Sequence, residues 1–188
     1  DKDYIIISEE SGETHLLNRK GKTRSELTEK IHRSNNKLNL IEGTTLQNTK
    51  LITTNENGQV IYIYLNGNID TLDIQNLKNG DRYIKHKNHT IILKGNSLMV
   101  SSNLNQFQYN FKTDALSAPK LFYKNDSVII AIRQETENLI YLFNEKGELY
   151  TQPFFGTTDF SIGKLNNKKE MNLIVGSNEG LIYNYKIN

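Results

Sequence analysis

The chain has 188 residues, 36% of them hydrophobic, with 23 basic and 21 acidic side chains and a formal net charge of +2. That is enough apolar material for a sizeable core, and too small and evenly spread a charge to mark a nucleic-acid or anionic-membrane binder. Cysteine is absent, which excludes a disulfide framework and thiolate metal sites and leaves the compartment open.

Three alanines stand against 25 asparagines and 12 glycines, so helix formers are scarce, turn formers are abundant, and an all-β protein is expected. No apolar run reaches the length of about 18 residues that a membrane-spanning helix needs. The start, Asp1-Lys2-Asp3-Tyr4, is neither a signal peptide nor an initiating Met, and a fragment of a longer protein is expected.

In chain order, Tyr4 to Ile7 and His15 to Leu17 read as strands joined across Glu10-Ser11-Gly12-Glu13. Asn18 then leads into the basic turn Arg19-Lys20-Gly21-Lys22. Thr23 to Asn36 reads as a polar loop, with a short helix as the alternative because Leu27 and Ile31 are four apart and Ser25 is placed as an N-cap. Leu38 to Ile41 is the next strand, followed by Leu51 to Thr54 and Val60 to Leu65 across Asn57-Gly58, the strongest short hairpin signal. Asn66-Gly67 turns the chain into Asn68 to Ile74.

Arg82 to Lys85, Leu98 to Val100 and Phe107 to Phe111 continue the pattern, and Asp114 to Pro119 is a crossover into Lys120 to Tyr123. Leu139 to Asn144 then enters Glu145-Lys146-Gly147, with Glu148 to Gln152 as a fourth strand. Phe160 to Leu165, Asn172 to Val175 and Leu181 to Tyr185 complete the series, the last two joined across Asn178-Glu179-Gly180.

Taking His15, Ile61, Leu98, Leu139 and Leu181 as the starts of one recurring hairpin phrase gives steps of 46, 37, 41 and 42 residues. A period near 40 built only from strands is that of a β-propeller blade. The expected architecture is therefore a partial ring of about five four-stranded blade-like sheets in a single repeat domain over residues 1–188. The first and last sheets should be incomplete, the chain entering at the second strand of one and leaving at the third strand of the other.

Candidate sites are few. His86 and His89 flank the turn Lys87-Asn88 and face each other across a hairpin, but their neighbours are cationic and further ligands are missing, so they read as two exposed turn histidines. Asp70 and Asp73 have an odd spacing on a strand and so point to opposite faces, which does not support paired-carboxylate catalysis. Glu135 and Glu137 fit a solvated hairpin tip. The run Arg19 to Arg24 is the densest basic stretch and suits an acidic partner, but no interleaved aromatic offers a base-stacking platform. Tyr62, Tyr64, Tyr141, Tyr183 and Tyr185 alternate along strands and recur with the blade, as packing residues do. The loop Leu165 to Asn172 lacks the carboxylates of a calcium site. Glu42, Asp81 and Asp159, near the blades' first strands, are the acids an enzymatic site would draw on.

Leu139 to Gly147, Phe160 to Asn167 and Asn172 to Ser177 resemble the C-terminal propeller of uncharacterised Bacteroidetes proteins, placed with the quinoprotein-like and WD40-like (YVTN) propellers. In that family an N-terminal membrane anchor precedes the propeller. The resemblance thus implies a cell-envelope or periplasmic location, with membrane contact only through an anchor outside this chain. It brings no catalytic residues. The chain has no Trp, so it lacks the Trp docking motif of quinone-dependent propeller dehydrogenases and the Trp-Asp pair of WD40 repeats.

The expected function is a noncatalytic scaffold for protein or glycan recognition, without cofactor, metal or nucleic acid. The alternative is an enzyme or small-ligand binder whose site at the ring mouth needs further parts. Self-association through uncovered end sheets is expected as well.

Overall fold

The structure is a computed structural model that describes residues 3–9, 11–32, 38–41, 43–74, 77–124, 127–165 and 170–187. Among these, all regular structure is β. The chain forms two compact units, Asp1–Gly95 and Asn96–Asn188.

Unit one contains β1 (Ile5–Ser8), β2 (Thr14–Leu17), β3 (Thr23–Ser25), β4 (Asn39–Ile41), β5 (Lys50–Thr54), β6 (Val60–Tyr64), β7 (Ile69–Leu72), β8 (Arg82–His86) and β9 (His89–Lys94). Unit two contains β10 (Ser97–Ser101), β11 (Gln106–Asn110), β12 (Lys120–Lys124), β13 (Ser127–Gln134), β14 (Leu139–Phe143), β15 (Phe154–Phe155), β16 (Phe160–Gly163), β17 (Met171–Gly176) and β18 (Ile182–Ile187). The strand order follows the sequence in five sheets: β1-β2-β3, β4-β5-β6-β7, β8-β9-β10-β11, β12-β13-β14-β15 and β16-β17-β18. The three inner sheets have four strands and the first and last have three, matching the blade count read from the period. Within the sheets, strands consecutive in sequence pair antiparallel.

Registers follow the hydrophobic alternation. Ile5 pairs with Leu17, Leu51 with Ile63 and Val175 with Tyr183. Alternation sends Leu16 of β2 inward with Leu51, Ile61 and Ile63, while Ile52, Val60 and Tyr83 form a second cluster in the same unit. In unit two, Ile129, Ala131, Ile140, Leu142, Leu173 and Val175 form the core, and Phe122, Phe154, Tyr183 and Tyr185 pack on it.

A five-residue turn recurs in both units. In Asn18–Lys22, Asn55–Gln59, Asn144–Glu148 and Ser177–Leu181, the first residue's N–H donates to the fifth carbonyl and the fourth residue, always Gly, donates back to the first carbonyl. The first side chain then accepts from the amides two and four residues on: Asn144 Oδ1 takes Lys146 N at 2.9 Å and Glu148 N at 3.0 Å. Asn18, Asn55 and Ser177 accept in the same way. This is a type I turn closed by a glycine bulge, and its glycine needs positive φ, +85° at Gly147.

Two expectations are corrected or narrowed. The fourth strand of the fourth sheet is Phe154–Phe155 rather than Glu148 to Gln152, where Leu149 makes only an isolated bridge to Phe143. Pro153 follows that segment and cannot donate to a ladder. In the stretch Thr23 to Asn36 the expected loop holds only for Glu26 to His32: Thr23–Ser25 forms strand β3, and residues 33–36 lie outside the described residues. Its amides are used elsewhere: Thr28 N donates to Gly67 O and Ile31 N to Gly12 O. Ser25 Oγ donates to Leu65 O at 2.8 Å and caps no helix.

Candidate functional site

The surface with the most concentrated chemistry belongs to the first sheet. Its β2–β3 turn raises Arg19, Lys20 and Lys22 into solvent because Asn18 closes the turn beneath them. Arg24, one residue inside β3, is fixed: its guanidinium lies 4.5 Å from the Tyr4 ring centroid and donates to Asp3 O at 2.5 Å. A hollow of about 290 Å³ is lined by Asp3, Asn18, Arg19, Lys20 and Arg24. Arg19, Lys20 and Arg24 thus line one hollow, with Asp3 as its acidic member, where the sequence placed its basic run, on a hairpin held by its own turn and by an anchored arginine.

A second depression, about 350 Å³, lies along the other end of β2 and the segment after β3, where Glu13, Glu26, Glu29 and Lys30 supply the charge and His15 an imidazole. Glu9 Oε1 is 2.9 Å from His15 Nε2, and Lys30 Nζ is 2.6 Å from Glu13 Oε1. The Lys30 ammonium, through its hydrogen bond and charge, holds the Glu13 carboxyl below the ordinary range, and Glu13 in turn raises Lys30. Glu9, Glu13 and His15 offer one ligand atom each within 4.8 Å of one another. Lys30 already neutralises one of these carboxylates, so the cluster is an ion-pair network as it stands. The sequence reading did not assemble this group, because its members are brought together only by the Gly12 turn between β1 and β2.

The residues singled out from the sequence are placed as follows. His86 and His89 are direct partners in the β8–β9 register, as the turn spacing required. His89 is nevertheless 5% exposed, not an exposed turn residue, because the alternation of β9 sends it inward with Ile91 and Leu93. Asp70 accepts from the Tyr64 hydroxyl at 2.7 Å, and Asp73, just past β7, accepts from Gln59 Nε2 at 2.6 Å; the two serve separate contacts. Glu135 and Glu137 sit in the β13–β14 turn, with Glu135 3.6 Å from Arg133.

Asp81 is a structural clamp, accepting from Lys78 N at 2.8 Å and Gly95 N at 3.1 Å. Asp159 bonds Lys120. Glu42 and the centre of the Leu165 to Asn172 loop lie outside the described residues. The tyrosines pack against neighbouring rings and apolar side chains, and two of their hydroxyls are tied: Tyr141 donates to the buried Gln134 Oε1 at 3.1 Å and Tyr185 to the Phe155 carbonyl at 3.1 Å. Tyr83, which the sequence pattern did not single out, is pushed up to about 12 by burial and by its hydrogen bond with Tyr62. Among the described residues no helix is long and apolar enough to cross a membrane.

No protein-family model matches the chain, and no curated protein matches it. Among solved structures it is similar to BBS1N in complex with ARL6DN, soaked with mercury, at TM-score 0.68 and 12% identity over 98% of this chain and 61% of that one. The same complex soaked with lead gives 0.64 and 12% over 98% and 56%. A streptogramin B lyase structure gives 0.53 and 13% over 98% and 68%. The chain therefore spans about 61% and 56% of the first two. At this identity the likeness carries the fold alone, and together with the five antiparallel sheets it establishes an all-β fold of the β-propeller type.

Proposed function

We propose that this chain is a noncatalytic scaffold that binds a protein partner in the cell envelope, presenting the basic β2–β3 hairpin to an acidic segment of that partner. The observation that carries this is the hollow formed by Arg19, Lys20 and Arg24 on a turn closed by Asn18. A cluster of cations on a preorganised hairpin favours an acidic surface and raises its association rate. BBS1N, a structure of the same fold type, is in complex with ARL6DN, which supports partner binding as a use for such a fold. The envelope location, the kinship with the C-terminal propeller of Bacteroidetes proteins and an anchor outside this chain rest on the sequence resemblance.

Self-association belongs to the same proposal. Ile5 and Ile7 of β1 and Ile182 of β18 are exposed and are the surfaces such a contact would bury; a strictly monomeric species at high concentration would remove it. A small-ligand reading is favoured by one feature, the 350 Å³ depression with Glu13, His15 and Lys30. Crosslinking capture of the full-length protein from its native cells separates the readings. A reproducible, near-stoichiometric acidic partner supports the scaffold, and an empty capture shifts the function to the depression.

A further inference from the structure

The chain contains three Asn-Gly pairs, Asn57-Gly58, Asn66-Gly67 and Asn79-Gly80. Such a pair carries its own chemistry. The glycine amide nitrogen, freed of its proton, attacks the asparagine side-chain carbonyl carbon, the new C–N bond closes a five-membered succinimide, and ammonia leaves. Water then opens either carbonyl of the ring and yields aspartate or isoaspartate. The net change is water in and ammonia out, with no oxidant or cofactor. Glycine favours the step because it has no side chain to obstruct the attack. The folded chain decides whether its amide is available.

Two of the three pairs are protected. Gly58 N donates to Asn55 O at 3.0 Å and Gly67 N to Tyr64 O at 2.9 Å. Both glycines are buried, and the backbones of Leu77 and Glu26 stand where a side chain would begin. Asn66 is further tied, its Oδ1 accepting from Asn68 N at 3.0 Å. Gly80 differs in each respect: it and Asn79 are exposed, and nothing lies within 4 Å of the position a Cβ would take. In its turn the closing bond runs from Asp81 N to Lys78 O at 3.0 Å. Among the described residues no hydrogen bond engages the Gly80 amide or the Asn79 side chain.

We propose that Asn79 is a spontaneous modification site of the native protein, converting through a succinimide to isoaspartate and aspartate while Asn57 and Asn66 persist. Isoaspartate there inserts a methylene into the backbone of the turn that aims Asp81, whose carboxylate clamps Lys78 N and Gly95 N on either side of the β8–β9 hairpin. The modified chain also gains one negative charge beside Lys78 and Arg82.

The test is timed incubation of the folded protein in mildly alkaline buffer, followed by peptide mass mapping and methylation by a protein isoaspartyl methyltransferase. Conversion at Asn79 is expected to outrun that at Asn57 and Asn66 by about tenfold or more, because each of those needs local opening first. In urea-unfolded protein the three rates should converge. Asn79→Gln should abolish the fast methyl-accepting site. Equal conversion of the three pairs in the folded state, or an equal preference for Asn79 after unfolding, would overturn the proposal.

Discussion

Replacing Gly147 by alanine separates the two demands that the recurring turn places on its glycine. The first is conformational: φ at Gly147 is +85°, and an L-residue in the left-handed region costs about 1 kcal/mol. The second is steric: a Cβ on Gly147 would stand 2.5 Å from Phe107 Cγ. The Phe107 ring cannot simply retreat, since its centroid is 5.8 Å from that of the buried Phe143. Overpacking of this kind costs about 1 to 3 kcal/mol, so G147A should lose about 2 to 4 kcal/mol in total. Gly21 is the internal control, with φ of +72° in the same turn type and nothing within 4 Å; G21A should cost only about 1 kcal/mol. Any gain from a stiffer unfolded chain is common to both variants and cancels in the comparison. Urea unfolding followed by far-UV circular dichroism measures both. Equal losses for the two variants would refute the steric half of the reasoning.

Leu173, fully buried in the unit-two core, should cost about 2 to 5 kcal/mol on truncation to alanine, read from the same unfolding curves. Tyr83 keeps its proton up to about 12, against 10.0 for the ordinary phenol. Its stabilising contribution is therefore complete below pH 10.0 and is lost as pH rises toward about 12. An alkaline titration of tyrosinate absorbance beside the folded signal should show this, and Tyr83→Phe should remove that part of the alkaline loss. Removing Lys30 as Lys30→Met should let the Glu13 carboxyl rise toward its ordinary value, since hydrogen bonding and charge from Lys30 depress it; carboxyl-carbon NMR titration checks this.

Much of the fold was legible because β structure writes its pattern locally. The alternation in Asn172 to Val175 fixes which face is buried, and Asn144 with Gly147 three residues on specifies a turn by direct hydrogen bonds. The misplaced fourth strand near Glu148 shows the limit: strand propensity there is ordinary, and the pairing depends on where Pro153 lets the chain rejoin β14. His89 shows a second limit: its place beside the turn suggests exposure, while the alternation of β9 points it inward. The basic hollow was visible as a run of charges, although the anchoring of Arg24 on Tyr4 was not, since Tyr4 is 20 residues earlier in the chain. The Glu9, Glu13 and His15 group went unread for a similar reason: it exists only once the Gly12 turn brings β1 and β2 together.

The central claim is that the β2–β3 hairpin docks an acidic partner. Its most direct test compares crosslinking capture by the full-length protein with capture by a variant carrying Arg19→Glu and Lys20→Glu, two exposed positions whose change leaves the turn bonds of Asn18 and Gly21 in place. The account predicts a near-stoichiometric partner retained by the unaltered protein, with crosslinks at Lys20 and Lys22, and lost from a variant that keeps its β circular dichroism. Undiminished capture by the folded variant would contradict it.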